Sequence, residues 1–165
     1  MHEVRLPLVM ADRQPVVNRV EALLLLEAVR THPAQRRTAL AVDERLMRGA
    51  EARARDLYYH PELGPEHVTS DGKTPNEAAR ETGYRLPDWY PAQGNQIETL
   101  GFNYVDLGAL LEAIGKSAAH ADHVFGRNDL HVAQTICGAA HLESPGERRR
   151  WRHVWVLWTA HPEDG

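Results

Sequence analysis

The pattern of apolar positions predicts four helices. In each of four segments, apolar side chains recur every three or four residues, which is the spacing of one helix face. The predicted helices cover about residues 15–31, 43–57, 75–82 and 103–115. Asp43 is a suitable N-cap for the second helix. The apolar face of that helix consists of Leu46, Ala50, Ala54 and Leu57.

Two later segments have the composition of β-strands. They cover about residues 131–140 and 151–160 and are joined by a turn at Ser144-Pro145-Gly146. Another strand is expected near residues 96–100. The last strand is apolar on both faces, with Val154, Val156 and Trp158 on one side and Trp155 and Leu157 on the other. Such a strand must be covered on both faces, so we predict an α/β fold, a three-layer α/β/α sandwich with a small antiparallel sheet.

Length and composition are those of one ordinary soluble domain. The chain has 165 residues, 42% of them hydrophobic and 25% charged. We therefore expect a single domain over residues 1–165, with an irregular arm over residues 1–14. The net charge is −4 and the basic residues are scattered. The one dense basic run, Arg148 to Arg150, is expected to be a solvated hairpin tip, so no nucleic-acid partner is predicted.

Cysteine content and hydropathy set two further expectations. Cys137 is the single cysteine of the sequence. It cannot form an internal disulfide, and its place in a predicted strand favours a small core residue over a nucleophile. No signal peptide or transmembrane run is visible, because the apolar run from Leu23 to Leu26 is too short to span a bilayer.

The segment from His67 to Pro75 carries the strongest functional signal. Asp71-Gly72 is a turn signal, and Asp71 is expected to brace the loop. Thr74 is a good N-cap, Pro75 suits the first helical position, and Glu77 completes a capping box. His67 therefore lies on a loop held by its own turn and helix start. A histidine so placed can bind a metal ion or transfer a proton.

The order of these motifs resembles the CAP superfamily, which includes cysteine-rich secretory proteins, antigen 5 and plant pathogenesis-related proteins. Residues 67–75 match the bacterial run His-Thr-Ser-Pro-Asp-Gly-Arg-Thr-Pro without gaps. Residues 94–97 lie where the family has Gly-Glu-Asn-Ile, and residues 117–120 where it has Ser-Pro-Gly-His. Residues 130–133 and 155–158 resemble two of its strand segments. The absence of paired cysteines is typical of the bacterial, SCP-like branch.

The resemblance implies a cleft with two histidines and two acidic residues, in which the histidines bind a divalent cation. The histidines correspond to His67 and His120, which are predicted to bring ring nitrogens within roughly 3 to 5 Å of each other around a weakly bound Zn²⁺. The acidic positions correspond to Asn95 and a slot near Ser117, neither of which is acidic. Glu98 is the nearby carboxylate that could substitute.

Three alternatives remain open at this level. His123 could be an additional ligand, since it follows His120 at helical spacing. A Ser-His-Asp triad using Ser70 or Ser117 is disfavoured because no nucleophile elbow is present. The aromatic residues around the Gly94 segment either pack that loop on the core or line a groove for a lipid or peptide. These aromatic residues are Trp89, Tyr90 and Phe102.

Two functions are compatible with this pattern. The first is an extracellular or cell-envelope binding module with a two-histidine cleft, whose ligand would be a lipid, a peptide or a cell-wall component. The second is a metal-assisted, peptidase-like hydrolase that uses His67, His120 and Glu98. The missing acidic residues favour the first, because hydrolysis requires a base for the attacking water.

Overall fold

The structure is a computed structural model that describes residues 14–146 and 150–164. The predicted arm therefore lies outside the described residues except for Gln14, as do Arg148 and Arg149. The helices are α1 Arg19–Thr31, α2 Glu44–Tyr59, α3 Pro75–Glu81, α4 Leu107–Lys116, α5 Ala118–Val124 and α6 Asp129–Val132, with a 3-10 turn at Pro61–Leu63. The strands are β1 Val16–Val17, β2 Ala41–Val42, β3 Glu98–Phe102, β4 Ile136–Glu143 and β5 His153–Ala160.

The sheet is built on the hairpin of β4 and β5. The strand order is β1-β4-β5-β3, and these neighbours are all antiparallel. The two-residue strand β2 pairs in parallel with the start of β4, and β1 pairs with the end of β4. Both lie on the edge of β4 that does not face β5. The edge strand β3 pairs with β5 in a register that places Glu98 opposite Trp158.

Helices cover both faces of this sheet, which confirms the predicted α/β/α sandwich. On one face, α2 and α3 pack against Val154, Val156 and Trp158. On the other, α1, α4 and α5 pack against Trp155 and Leu157. Each face of β5 thus belongs to a separate apolar core, and all eight residues of the strand are buried.

The contact between α2 and the sheet is close enough to require glycine. A Cβ atom on Gly138 of β4 would lie 2.3 Å from the carbonyl carbon of Leu46 and 2.5 Å from the amide nitrogen of Met47. A Cβ on Gly49 of α2 would lie 2.3 Å from the ring of Trp158. The helix backbone therefore lies directly against β4, and the indole of Trp158 lies directly against the helix.

Several predicted boundaries are wrong because local hydrogen bonds override the apolar pattern. The fourth helix begins after Asp106, whose Oδ1 accepts from the amide of Ala109 at 2.8 Å, and not near Asn103. Asn103 has a φ of 60° and accepts from the amide of Arg152 through Oδ1 at 2.8 Å, tying the end of β3 to the approach to β5. The strand predicted over 131–140 begins only at Ile136.

Two short helices precede that strand. Asn128 caps α6 by accepting from the amide of His131 at 2.9 Å, so residues 129–132 turn into a helix. The segment Ala118–Val124 is α5 and carries His120 and His123. Both helices are too short for apolar periodicity to identify them.

Cys137 is a core residue, as expected. It is fully buried in β4, and burial raises the pKa of its thiol to about 12. The thiol is therefore protonated at neutral pH and unsuited to nucleophilic attack. In the described part of the chain, helices are too short or too polar to cross a bilayer.

The close packing of α2 on β4 gives a first testable prediction. Gly138→Ala should destabilise the fold by about 1–3 kcal/mol or more, because the new methyl group meets rigid backbone atoms of α2. Chemical denaturation measures the free energy of unfolding. The matched control is Gly115→Ala in α4, where a Cβ would meet nothing within 4 Å. That substitution should be neutral or stabilising by up to about 1 kcal/mol. Equal stability of both variants would contradict the described packing.

Candidate functional site

A buried carboxylate lies at the centre of the candidate site. Glu98 begins β3, and its side chain is fully removed from solvent. Its Oε2 accepts from the indole Nε1 of Trp158 at 2.9 Å and from Nε of Arg53 at 3.2 Å. Its Oε1 accepts from Nδ1 of His67 at 2.9 Å. Three side chains from separate elements thus fix one carboxylate.

Asn95 positions this carboxylate through the backbone. Its Oδ1 accepts from the amides of Ile97 at 3.2 Å and Glu98 at 2.8 Å, and its Nδ2 donates to the carbonyl of Glu98 at 3.1 Å. An amide can both accept and donate, whereas a carboxylate can only accept. The asparagine therefore suits a turn that leads into β3, and the nearby acidic group is Glu98, three residues later.

Arg53 connects the carboxylate to the loop that carries His67. Its guanidinium is buried on α2 and donates to the carbonyls of Glu66 at 2.8 Å and Val68 at 3.0 Å. These two carbonyls flank His67 in the chain. The same cation thus neutralises Glu98 and holds the backbone on both sides of the histidine.

Sequence reasoning missed Arg53, although the sequence contains a signal. Arg53 lies seven residues after Leu46 and four before Leu57, both on the apolar face of α2. A charged residue in such a face is rarely buried without a partner. The partner lies 45 residues away, so the local pattern could not identify it.

The charge state of Glu98 follows from these contacts. Burial by itself raises the pKa of the carboxyl, but the hydrogen bond from His67, the charge of Arg53 and the hydrogen bond from Trp158 together outweigh it. The pKa of Glu98 therefore lies below its ordinary 4.5. Glu98 is an anion at neutral pH with its oxygens already occupied, which suits it to orient His67.

His67 is oriented by Glu98 and still reaches solvent. Its side chain is 35% exposed, and its Nδ1 faces the carboxylate. A neutral imidazole then carries its proton on Nδ1 and leaves the lone pair of Nε2 free. This arrangement of carboxylate, histidine and open Nε2 is common in metal ligands and in general bases.

His120 lies on α5 and interacts with His67 through its charge. Its side chain is exposed. Partial burial, and after it the repulsion between the two imidazoles when both are protonated, lower the pKa of His120 below its ordinary 6.5. The two imidazoles are thus within electrostatic range of each other. Their predicted separation of roughly 3 to 5 Å, the distance compatible with a shared Zn²⁺, stays a prediction.

His123 faces the other side of the sheet. It is buried, its Nδ1 contacts Thr99 Oγ1, and its Nε2 lies 2.7 Å from Thr159 Oγ1. Burial holds the pKa of its imidazole well below 6.5. Both ring nitrogens have partners, so the arrangement favours a core residue over a ligand.

The polar contacts around His123 continue to a buried glutamine. Thr159 Oγ1 lies 2.8 Å from Oε1 of Gln134, and His131 Nδ1 lies 2.9 Å from the same oxygen. The amide nitrogen of Gln134 contacts the backbone carbonyl of Gln96 and the hydroxyl of Tyr90. This network connects the residue that follows Asn95 with the inner face of α5.

The aromatic residues near Gly94 differ in their surroundings. Tyr90 is buried, whereas Trp89 is 61% exposed and packs edge-on against His161. Phe102 packs on Trp151 with ring centroids 4.3 Å apart. Tyr90 and Phe102 thus pack the surrounding segments, and only Trp89 of these three offers a large apolar surface to solvent.

The two histidines provide few protein donors for a cation. Among the residues that the structure describes, no group of three or more His, Cys, Asp or Glu side chains is arranged to hold a metal ion. His67 Nε2 and the imidazole of His120 are the available nitrogen donors. Two imidazoles provide fewer protein ligands than the three usual in catalytic zinc sites.

The buried ion pair gives a second prediction. Arg53→Met should destabilise the fold by about 3–5 kcal/mol, because it leaves the Glu98 carboxylate buried without a cation. The double variant Arg53→Met/Glu98→Gln should recover part of this loss, since the uncompensated charge is removed. Urea denaturation of both variants and of wild type measures the difference. If the double variant is no more stable than Arg53→Met, the loss arises from the loop carbonyls and not from the charge.

Comparisons with known proteins bear on the fold. No protein-family model and no curated protein matches the sequence. An outer surface protein from Borrelia burgdorferi is similar in structure, with 16% identity, a TM-score of 0.60 and coverage of 86% of this chain and 91% of that one.

Two longer bacterial proteins are also similar. An extracellular protein containing an SCP domain from Bacillus anthracis has 11% identity and a TM-score of 0.62, covering 87% of this chain and 41% of that one. A cysteine-rich secretory protein from Staphylococcus aureus has 14% identity and a TM-score of 0.52, covering 87% and 39%. The α/β/α sandwich and these likenesses agree with the order of the sequence motifs. The chain has the CAP-like, or SCP-like, fold of these bacterial proteins.

Proposed function

We propose that this chain is a CAP-like binding module that acts at the cell envelope or outside the cell, and that its cleft holds a divalent cation weakly. The observation that carries the proposal is the contact between Glu98 and Nδ1 of His67, which leaves Nε2 of that ring open. The names of two similar proteins, an outer surface protein and an extracellular protein, support the location.

His67 and His120 would hold the cation, and Zn²⁺ suits two imidazoles better than Mg²⁺ or Ca²⁺ does. When bound, the ion supplies a Lewis-acid centre that an anionic group of a ligand can coordinate. Glu98 and Arg53 keep His67 in one orientation throughout. The module would thus bind a lipid, a peptide or a cell-wall component through an acidic group of that ligand.

A third prediction tests the cation. Isothermal titration with Zn²⁺ should show weak binding that His67→Ala or His120→Ala abolishes, because each removes one of two protein ligands. The control is His60→Ala, which removes a histidine whose Nδ1 lies 3.3 Å from Glu62 outside the cleft. Tight binding that survives both cleft substitutions would place the metal elsewhere. A loss of binding in His60→Ala would contradict the proposal as well.

The second candidate function is a metal-assisted hydrolase, and the same His67–Glu98 contact favours it. A histidine oriented by a carboxylate can accept a proton from water. Glu98 itself is an unsuitable base, because its side chain is fully buried and both of its oxygens accept hydrogen bonds. Any hydrolysis would therefore use His67 as the base and Glu98 as the residue that orients it.

A fourth prediction separates the two functions. Wild type, Asn95→Glu and Glu98→Gln should all lack metal-dependent cleavage in a broad peptide assay. Asn95→Glu should not create activity, because the new carboxylate cannot donate to the carbonyl of Glu98 and the turn is weakened. Robust cleavage by wild type that collapses in Glu98→Gln would overturn the binding-module proposal and establish the hydrolase.

A further inference from the structure

A cavity opens beside the buried Arg53–Glu98 pair, and Arg53 is one of its lining residues. Its volume is about 540 Å³, within the roughly 300–1,000 Å³ typical of small-molecule sites. It lies between α2, α3 and the loop that precedes α3, and Trp158 forms its inner end. Neither His67 nor His120 lines it.

The apolar walls of the cavity are made of small residues. Gly49 and Ala52 on α2 face Ala78 on α3, and the indole of Trp158 lies between the two helices. Because these side chains are short, they leave open space between the two helices beside the indole. A flat ring can occupy this space and pack edge to face with the indole.

The charged groups of the cavity are nearly all paired with one another. Asp56 accepts from Arg53 and from the amide of Ser70. Lys73 pairs with both Asp71 and Glu81. These paired groups, two cations and three anions, carry one excess negative charge.

Arg48 is the exception. It lines the cavity from the exposed side of α2, and it makes no hydrogen bond or ion pair through its guanidinium within residues 14–146 and 150–164. A guanidinium in this position can donate two parallel hydrogen bonds to a carboxylate. Arg48 balances the excess negative charge of the paired groups, and among the described residues that line the cavity it is the charged group left free to pair with an anion.

We propose that this cavity binds a small aromatic carboxylate, with the ring between α2 and α3 and the carboxylate on Arg48. The proposal is independent of metal binding in the histidine cleft. The occupant would contact Trp158, whose indole Nε1 donates to Glu98. The indole N–H of Trp158 is thus a direct reporter of occupancy.

The test uses three probes of one shape and different charge. These are 2-naphthoate, 2-naphthalenemethanol and 2-naphthylmethylammonium, each titrated into the ¹⁵N-labelled chain and followed by two-dimensional NMR. The chain has four tryptophans, so Trp158→Phe assigns the relevant indole signal. We expect 2-naphthoate to bind most tightly and to shift the Trp158 indole. Tighter or equal binding of the ammonium probe would overturn the proposal.

Two variants test the position of the probe. Arg48→Ala should weaken binding of 2-naphthoate by about tenfold or more, because the carboxylate loses its charged hydrogen-bond partner, and should leave binding of the alcohol unchanged. The matched control is Arg55→Ala, an exposed arginine of α2 that does not line the cavity. Ala52→Trp, at an exposed helix position, should fill the space between the helices and weaken binding of the naphthoate and the alcohol. Unchanged binding in Ala52→Trp or Arg48→Ala would place the probe elsewhere and refute the site.

Discussion

Arg53 and Glu98 form an ion pair that is almost entirely removed from water, with side chains 2% and 0% exposed. Removing two charges from water costs several kcal/mol for each ion, and the pair is tolerated only when further hydrogen bonds satisfy both groups. Here Trp158 and His67 donate further hydrogen bonds to the carboxylate, and two loop carbonyls accept hydrogen bonds from the guanidinium. α2, β3, β5 and the loop before α3 must therefore be in place together, and the orientation of His67 follows from that requirement.

The alternation of side chains along β3 divides this polar chemistry between two faces. Glu98 and Thr99 are consecutive and point to opposite sides of the sheet. Glu98 contacts His67 on the side of α2, and Thr99 contacts His123 on the side of α5. A shift of one residue in the pairing with β5 would place a hydroxyl beside Arg53 and a carboxylate in the opposite core. The buried pair thus fixes the strand register as well as the site.

The features predicted from the sequence are those encoded by neighbouring residues. The helix start at Thr74 depends on Glu77 three residues later, and its carboxylate does accept from the amide of Thr74 at 2.8 Å. β5 is apolar on both faces, and the residues of the strand itself show this. By contrast, the partnership of Arg53 with Glu98 joins residues distant in the chain, and the role of Asn95 depends on hydrogen bonds that residue identity does not reveal. The sequence therefore predicted the fold and named Glu98, and it missed Arg53, which joins Glu98 to the loop that carries His67.

The network around Gln134 has a consequence for the direction of its protons. The carbonyl of Gln96 can only accept, so the amide nitrogen of Gln134 faces it and Oε1 faces Thr159 and His131. Thr159 must then donate to Gln134, so toward His123 its oxygen can only accept, and Nε2 of His123 carries a hydrogen. One glutamine thereby fixes the tautomers of two histidines, and a proton could be relayed through this network only if the amide of Gln134 first rotated.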